Sequence, residues 1–212
     1  MICSPTLSRL QASFGRNFIG PEQVNVLLAR MGLPALAAEQ VPEPDYPQAL
    51  LRDRAADHLL VLGCPGPADR PLDILRYREV FGTDPAVQEP CLYNQDWYLA
   101  EDFVRRVPEC RWYLLRREVL EQSRAAQPEA LLSGGSLRFP PAVLCVEAFF
   151  AAFLSYGDYL WDHDFVWCAD TDHNGDRIYV GKYHDVDGIN KNGFSIHRHL
   201  SLRPCYGAAP LL

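Results

Sequence analysis

The sequence predicts an α+β fold: a helix-rich N-terminal part packed on a mostly antiparallel sheet, with a C-terminal β-hairpin and a final strand. Three observations carry that expectation. The early segments alternate capped helical patterns with short apolar runs. "PPAVLCVEAFFAAFLSYGDYL", residues 140–160, is apolar on most of its circumference and predicts a central buried helix. After it, "DFVWCAD", "RIYVGKYHD" and "GFSIHRHLSLRP" are strand-like stretches joined by Asp/Asn/Gly turns.

The elements can be taken in order. In "FIGPEQVNVLLARMGLP", Pro21 suits the first helical position. Val24, Leu27, Leu28 and Met31 make one apolar stripe, and Gly32 and Pro34 end it. "LPALAAEQVPEPDYP" is a loop, because each X-Pro step biases its predecessor away from the helix. "PQALLRDRAAD" predicts a short helix and "HLLVLGCPG" a buried strand. "DRPLDILRYREVFG" predicts a helix ending at Gly82, and "TDPAVQEPCLYN" a loop. "QDWYLAEDFVRRVP" predicts a helix stopped by Pro108, and the aromatic "CRWYLLRREVL" a strand. The Ser/Gly stretch near 133–140 is the one candidate subdomain boundary in an otherwise single 212-residue domain.

Composition narrows the function classes. Hydrophobic residues make up 48% of the chain, enough for a substantial core. A formal charge of −7 argues against broad nucleic-acid binding, which needs clustered Lys and Arg. Arg105, Arg106, Arg111, Arg116 and Arg117 form the one basic stretch, beside Trp97 and Trp112 as candidate stacking platforms for RNA. A solvated face is the simpler reading. The seven cysteines include no CxxC pair and several lie in apolar runs, which predicts buried reduced thiols and a cytoplasmic setting. No signal-peptide pattern opens the sequence, and the longest apolar stretch is broken by Glu147, so no membrane association is expected.

"ADTDHNGDRIYVG", residues 169–181, is the stretch closest to a chemical motif. Asp170, Asp172, Asn174 and Asp176 fall at alternate positions around Gly175, as at the start of an EF-hand calcium loop. Position twelve is Gly181 where a bidentate Glu is required, and the flanks are strands, so the EF-hand is excluded. A looser calcium loop is the alternative to a polar hairpin turn, in which the carboxylates face water and Gly175 supplies positive φ. Five of the six histidines lie between 163 and 199. Strand alternation puts His197 and His199 on one polar face with Ser195 and Ser201. With His184 and Asp185 they form a candidate divalent-metal set. Otherwise no cofactor is expected. Cys91 is a candidate loop nucleophile, and Glu147, set in an apolar helix, calls for a structural arginine or a functional site.

Two segments, "NFIGPEQVNVLLARMG" and "RWYLLRREVLEQSR", together with the "DTDHNGDRIYVG" hairpin, are similar to a group of uncharacterised bacterial proteins. That group carries FIGPEE-like, WYLIRKE-like and SDxDxxGxRxxVG-like segments. The resemblance implies a hairpin kept for its shape and implies no activity. The acidic, motif-poor chain is expected to be an intracellular binding or interaction protein whose unknown partner is a protein or small molecule. The alternative is a metal-dependent enzyme, a hydrolase by its ligand types, using the C-terminal His/Asp residues.

Overall fold

The computed structural model describes residues 5–93, 95–182, 193–198 and 202–212. Its helices are α1 (Pro5–Phe14), α2 (Pro21–Arg30), α3 (Gln48–Arg54), α4 (Ile74–Phe81), α5 (Pro128–Ser133) and α6 (Ala142–Tyr156). Its strands are β1 (Phe18–Ile19), β2 (His58–Leu62), β3 (Cys91–Leu92), β4 (Trp112–Arg116), β5 (Phe165–Thr171), β6 (Arg177–Lys182), β7 (Gly193–Arg198) and β8 (Tyr206–Gly207). The fold is α+β, as the sequence predicts.

The sheets are mixed rather than mostly antiparallel. A three-stranded sheet has the order β1-β2-β4, and a five-stranded sheet the order β3-β7-β6-β5-β8. The expected antiparallel meander β5-β6-β7 forms the centre of the larger sheet. The parallel pairings come from the two-residue strands β1, β3 and β8, each docked on a longer neighbour. Strands that short carry no readable alternation, so pattern alone does not reveal them.

α2 begins at Pro21 and the Gln23 side chain accepts the Gly20 N–H at 3.1 Å, which closes its first turn. α4 is capped by Asp73, whose carboxylate accepts the Arg76 N–H at 2.8 Å, and ends where Gly82 takes φ +68°. Residues 95–108 are not the helix expected. Turns lead into a short 3-10 stretch, Asp102–Arg105, with Tyr98, Phe103 and Val104 all buried. Aromatic anchoring decides the backbone there more strongly than helical propensity.

α6 is the axis of the molecule. All eleven residues from Ala142 to Ala152 are buried, and the helix ends at Gly157 in the left-handed region. One hydrophobic core surrounds it, built from residues as far apart as Leu7 and Ala209, and so from both sides of 133–140. A smaller aromatic cluster, Phe139, Phe165, Trp167, Tyr179 and Tyr206, covers the other face of the five-stranded sheet.

The outer edge of β4 is covered. The Leu114 N–H donates to the Tyr46 hydroxyl at 3.2 Å, and the Arg116 N–H to the Pro210 carbonyl at 2.9 Å. The Leu114 carbonyl accepts the Leu212 N–H at 3.0 Å. The segment 33–47 is pinned beside it by Trp112, whose indole N–H donates to the Pro42 carbonyl at 2.7 Å.

A register shift between Trp167 and Thr171 bends β5 toward the start of α6. The Ala169 N–H then reaches the Pro140 carbonyl at 2.9 Å, and the Asp170 carboxylate accepts the Ala142 N–H at 2.7 Å. The second oxygen of Asp170 accepts from Arg106, also at 2.7 Å. Asp170 thus caps the buried helix from a distant strand. Asp170→Ala is expected to lower stability by about 2 kcal/mol, measured by urea denaturation, through loss of the cap and exposure of an unpaired buried N–H.

Candidate functional site

The hairpin residues do not gather around one point. Asp170 is turned inward to α6 and Arg106. Asp172 is also buried: one oxygen accepts the N–H groups of Asn174 and Asp176 at 2.9 and 2.8 Å, and the other accepts from Arg198 at 2.6 Å. Asn174 is exposed and Asp176 half-buried, and Gly175 turns the chain at φ +86°. The expectation that these carboxylates face water therefore fails for the two aspartates that matter most. Gly181, in the place of the missing twelfth ligand, lies against a neighbouring strand end. A Cβ there would sit 2.0 Å from the Asp164 carbonyl oxygen, so no other residue fits without displacement.

A polar cluster that the sequence did not announce joins the hairpin to the 95–108 segment. Buried Glu101 accepts the His173 N–H at 2.9 Å and contacts the His173 ring at 2.7 Å. Oxygen and nitrogen atoms of Glu101, Asp172 and His173 come within 4.8 Å of one another, the one such metal-compatible group among the described residues. Arg198 enters this group: its guanidinium lies 2.6 Å from Asp172 and 3.6 Å from Glu101, and stacks 4.6 Å over Trp97. Burial acts to raise the Asp172 carboxyl. The Arg198 guanidinium and two backbone N–H groups outweigh it and hold the carboxyl below its ordinary value. A cation therefore already sits between the two carboxylates, and a metal ion would compete with it.

Of the C-terminal ligand set, His184, Asp185 and His199 lie outside the described residues, and His197 is described. The polar strand face expected for it is not open. Ser195 is fully buried, and His197 packs at 5.6 Å on Tyr179 and 5.5 Å from Phe165. The reason is that both faces of the sheet are covered. Burial, with the charge of Arg203, pushes the His197 imidazole down to about 4. An NMR titration is expected to place its midpoint there; a midpoint near 6.5 would mean a solvated ring.

Cys91 is not a loop thiol. It pairs in β3, is fully buried, and burial with the charges of Glu89 and Asp84 pushes it up to about 11, away from nucleophilic character. Four of the five arginines of the basic stretch are paired, and Arg105 alone is exposed without an ion pair among the described residues. Arg106 pairs with Asp170, Arg111 with Glu109, Arg116 with Asp57 and Arg117 with Asp158. Trp112 is buried, and Trp97 is engaged by Arg198 and by the Ile196 carbonyl at 3.2 Å.

Glu147 has no arginine. Both its oxygens are buried without a hydrogen-bond partner, as is the Tyr77 hydroxyl in the same part of the core. Burial raises the carboxyl well above its usual value; the Cys64 backbone N–H pulls weakly the other way without reaching hydrogen-bond geometry. The folded state therefore keeps a proton that the unfolded chain releases near 4.5. Stability contributed by the neutral acid falls as pH rises above that value. Relative to wild type, Glu147→Gln is expected to gain about 1.4 kcal/mol per pH unit over that range, read from denaturation curves at a series of pH values.

A concavity with both apolar and basic lining lies elsewhere. A groove of about 680 Å³ runs between α1 and the 33–47 segment with α3. Leu10, Phe14, Tyr46 and Leu51 give it an apolar floor, and Arg9 and Arg52 line it from the two helices. Leu7, Leu10 and Phe14 form the stripe that docks α1, and the Tyr46 hydroxyl is fixed at the β4 edge. Both arginines are exposed, and neither makes an ion pair or side-chain hydrogen bond among the described residues. Nothing local in the sequence links this pair, because 43 positions and a proline-rich loop separate its members.

Compared with known proteins, the chain matches no family model, no curated protein and no solved structure. Among the described residues, no helix is long and apolar enough to cross a membrane.

Proposed function

We propose that this is a binding protein for a small amphipathic anion, held in the groove between α1 and the 33–47 segment. The observation that carries the reading is two guanidiniums, neither in an ion pair among the described residues, set over an apolar floor. The groove's volume falls within the roughly 300–1,000 Å³ range of small-molecule sites. Leu10, Phe14, Tyr46 and Leu51 would take the apolar body, and Arg9 and Arg52 the acidic head. Glu43 also lines the groove, so the local balance is one net positive charge, which favours a monoanion over a dianion.

The alternative, a metal-dependent enzyme built on the C-terminal His/Asp residues, is less well supported. Arg198 holds the cation position at Glu101 and Asp172, and His197 is half-buried against Phe165 and Tyr179. The six described cysteines form no disulfide, which suits a reducing compartment such as the cytoplasm.

Calorimetric titration of the full chain with decanoate below its micelle threshold tests the proposal. One saturable site is expected, with Arg9→Ala and Arg52→Ala each weakening binding roughly tenfold. Decanol is expected to bind more weakly than decanoate. Absence of saturable binding, or equal affinity for acid and alcohol, would overturn the reading.

A further inference from the structure

A second cleft, of about 330 Å³, lies where β4, β5 and the start of α6 meet, and shares no lining residue with the groove. Arg106, Arg111 and Arg138 line it together with Tyr113, Phe139 and Asp170. The three guanidiniums are not equivalent. Arg106 is committed to Asp170, which in turn is committed to α6. Arg111 lies 4.5 Å over the Tyr113 ring and pairs at 2.9 Å with Glu109, but both members of that pair are largely exposed. Such surface pairs contribute about 0–1 kcal/mol and exchange readily for a better partner. Arg138 makes no side-chain hydrogen bond or ion pair among the described residues. Its backbone is fixed nonetheless, because its carbonyl accepts the Leu211 N–H at 2.8 Å.

We infer that this cleft is a site for a small dianion, a phosphate group or a dicarboxylate, held between Arg111 and Arg138. The exposed Arg111–Glu109 pair, rather than the net charge, sets the valence. With Arg106 and Asp170 cancelling, two guanidiniums face one displaceable carboxylate, and a ligand with two negative charges replaces Glu109 and neutralises Arg138. Planar guanidiniums suit phosphate and carboxylate oxygens because their N–H groups bond such pairs of acceptors side by side. Asp170 fixes the rear wall, so the arginines work against a rigid surface. This inference stands apart from the groove and uses none of its residues.

Calorimetry of the full chain with inorganic phosphate and with succinate, at low and at physiological salt, tests it. At least one probe is expected to bind saturably and to weaken with salt. Arg138→Ala and Arg111→Ala should each weaken binding roughly tenfold. Glu109→Gln should tighten it, because the competing carboxylate is gone, an effect that a purely structural role for Glu109 would not produce. Arg105→Ala, exposed but outside the cleft, and Arg9→Ala, in the groove, should leave it unchanged. The inference is overturned if neither probe binds, if Arg105→Ala weakens binding as much as Arg138→Ala, or if Glu109→Gln fails to tighten it. All five positions are on the surface, and unchanged melting curves confirm that the variants are folded.

Discussion

The position of the buried helix α6 depends on one carboxylate. A helix enclosed over its first eleven residues cannot let water satisfy its leading N–H groups, so the protein must supply an acceptor. Asp170 supplies it from the bulged end of β5, and Arg106 balances the charge that this brings inside. The bulge, the inward turn of β5 and the contact between the Ala169 N–H and Pro140 all serve that placement. The position of the hairpin beyond it, and of the arginine-lined cleft, follows from the same contact.

This also explains what the sequence could and could not reveal. The helical stripes of α2 and α4, the continuous apolar runs of β2 and α6, and the alternation of β5 to β7 are local patterns, and they are readable because their period is local. "DTDHNGD" was readable as a turn for the same reason. What Asp170 and Asp172 do was not readable, because their partners are Ala142, Arg106 and Arg198, brought close only by the fold. The 95–108 segment misled in the opposite direction. Its helical composition lost to the burial of Tyr98 and Phe103, which a one-dimensional pattern cannot weigh.

Glu147 marks the limit of reasoning by rule. An acid within an apolar helix ordinarily implies a cationic neighbour. Here the neighbours are Tyr77 and Cys64, themselves pushed upward by burial, and the carboxyl meets its surroundings by staying neutral. The histidine set shows the complementary error. Alternation correctly assigned His197 to one face of β7, but whether that face meets water was decided by Phe165 and Tyr179, which come from other strands. Arg9 and Arg52 were invisible in the same way: nothing in either helix signals that the other will stand across a groove.

The cover on β4 has a consequence for how these molecules behave in a crowded solution. An edge strand with open N–H and C=O groups invites another chain to extend its ladder. Here residues 210–212 and one tyrosine hydroxyl occupy those groups from within the same chain. The tyrosine also lines the groove, so the surface that protects this edge from aggregation and the surface proposed to hold a ligand share a side chain. Selection for tighter binding at Tyr46 would therefore act on colloidal stability as well.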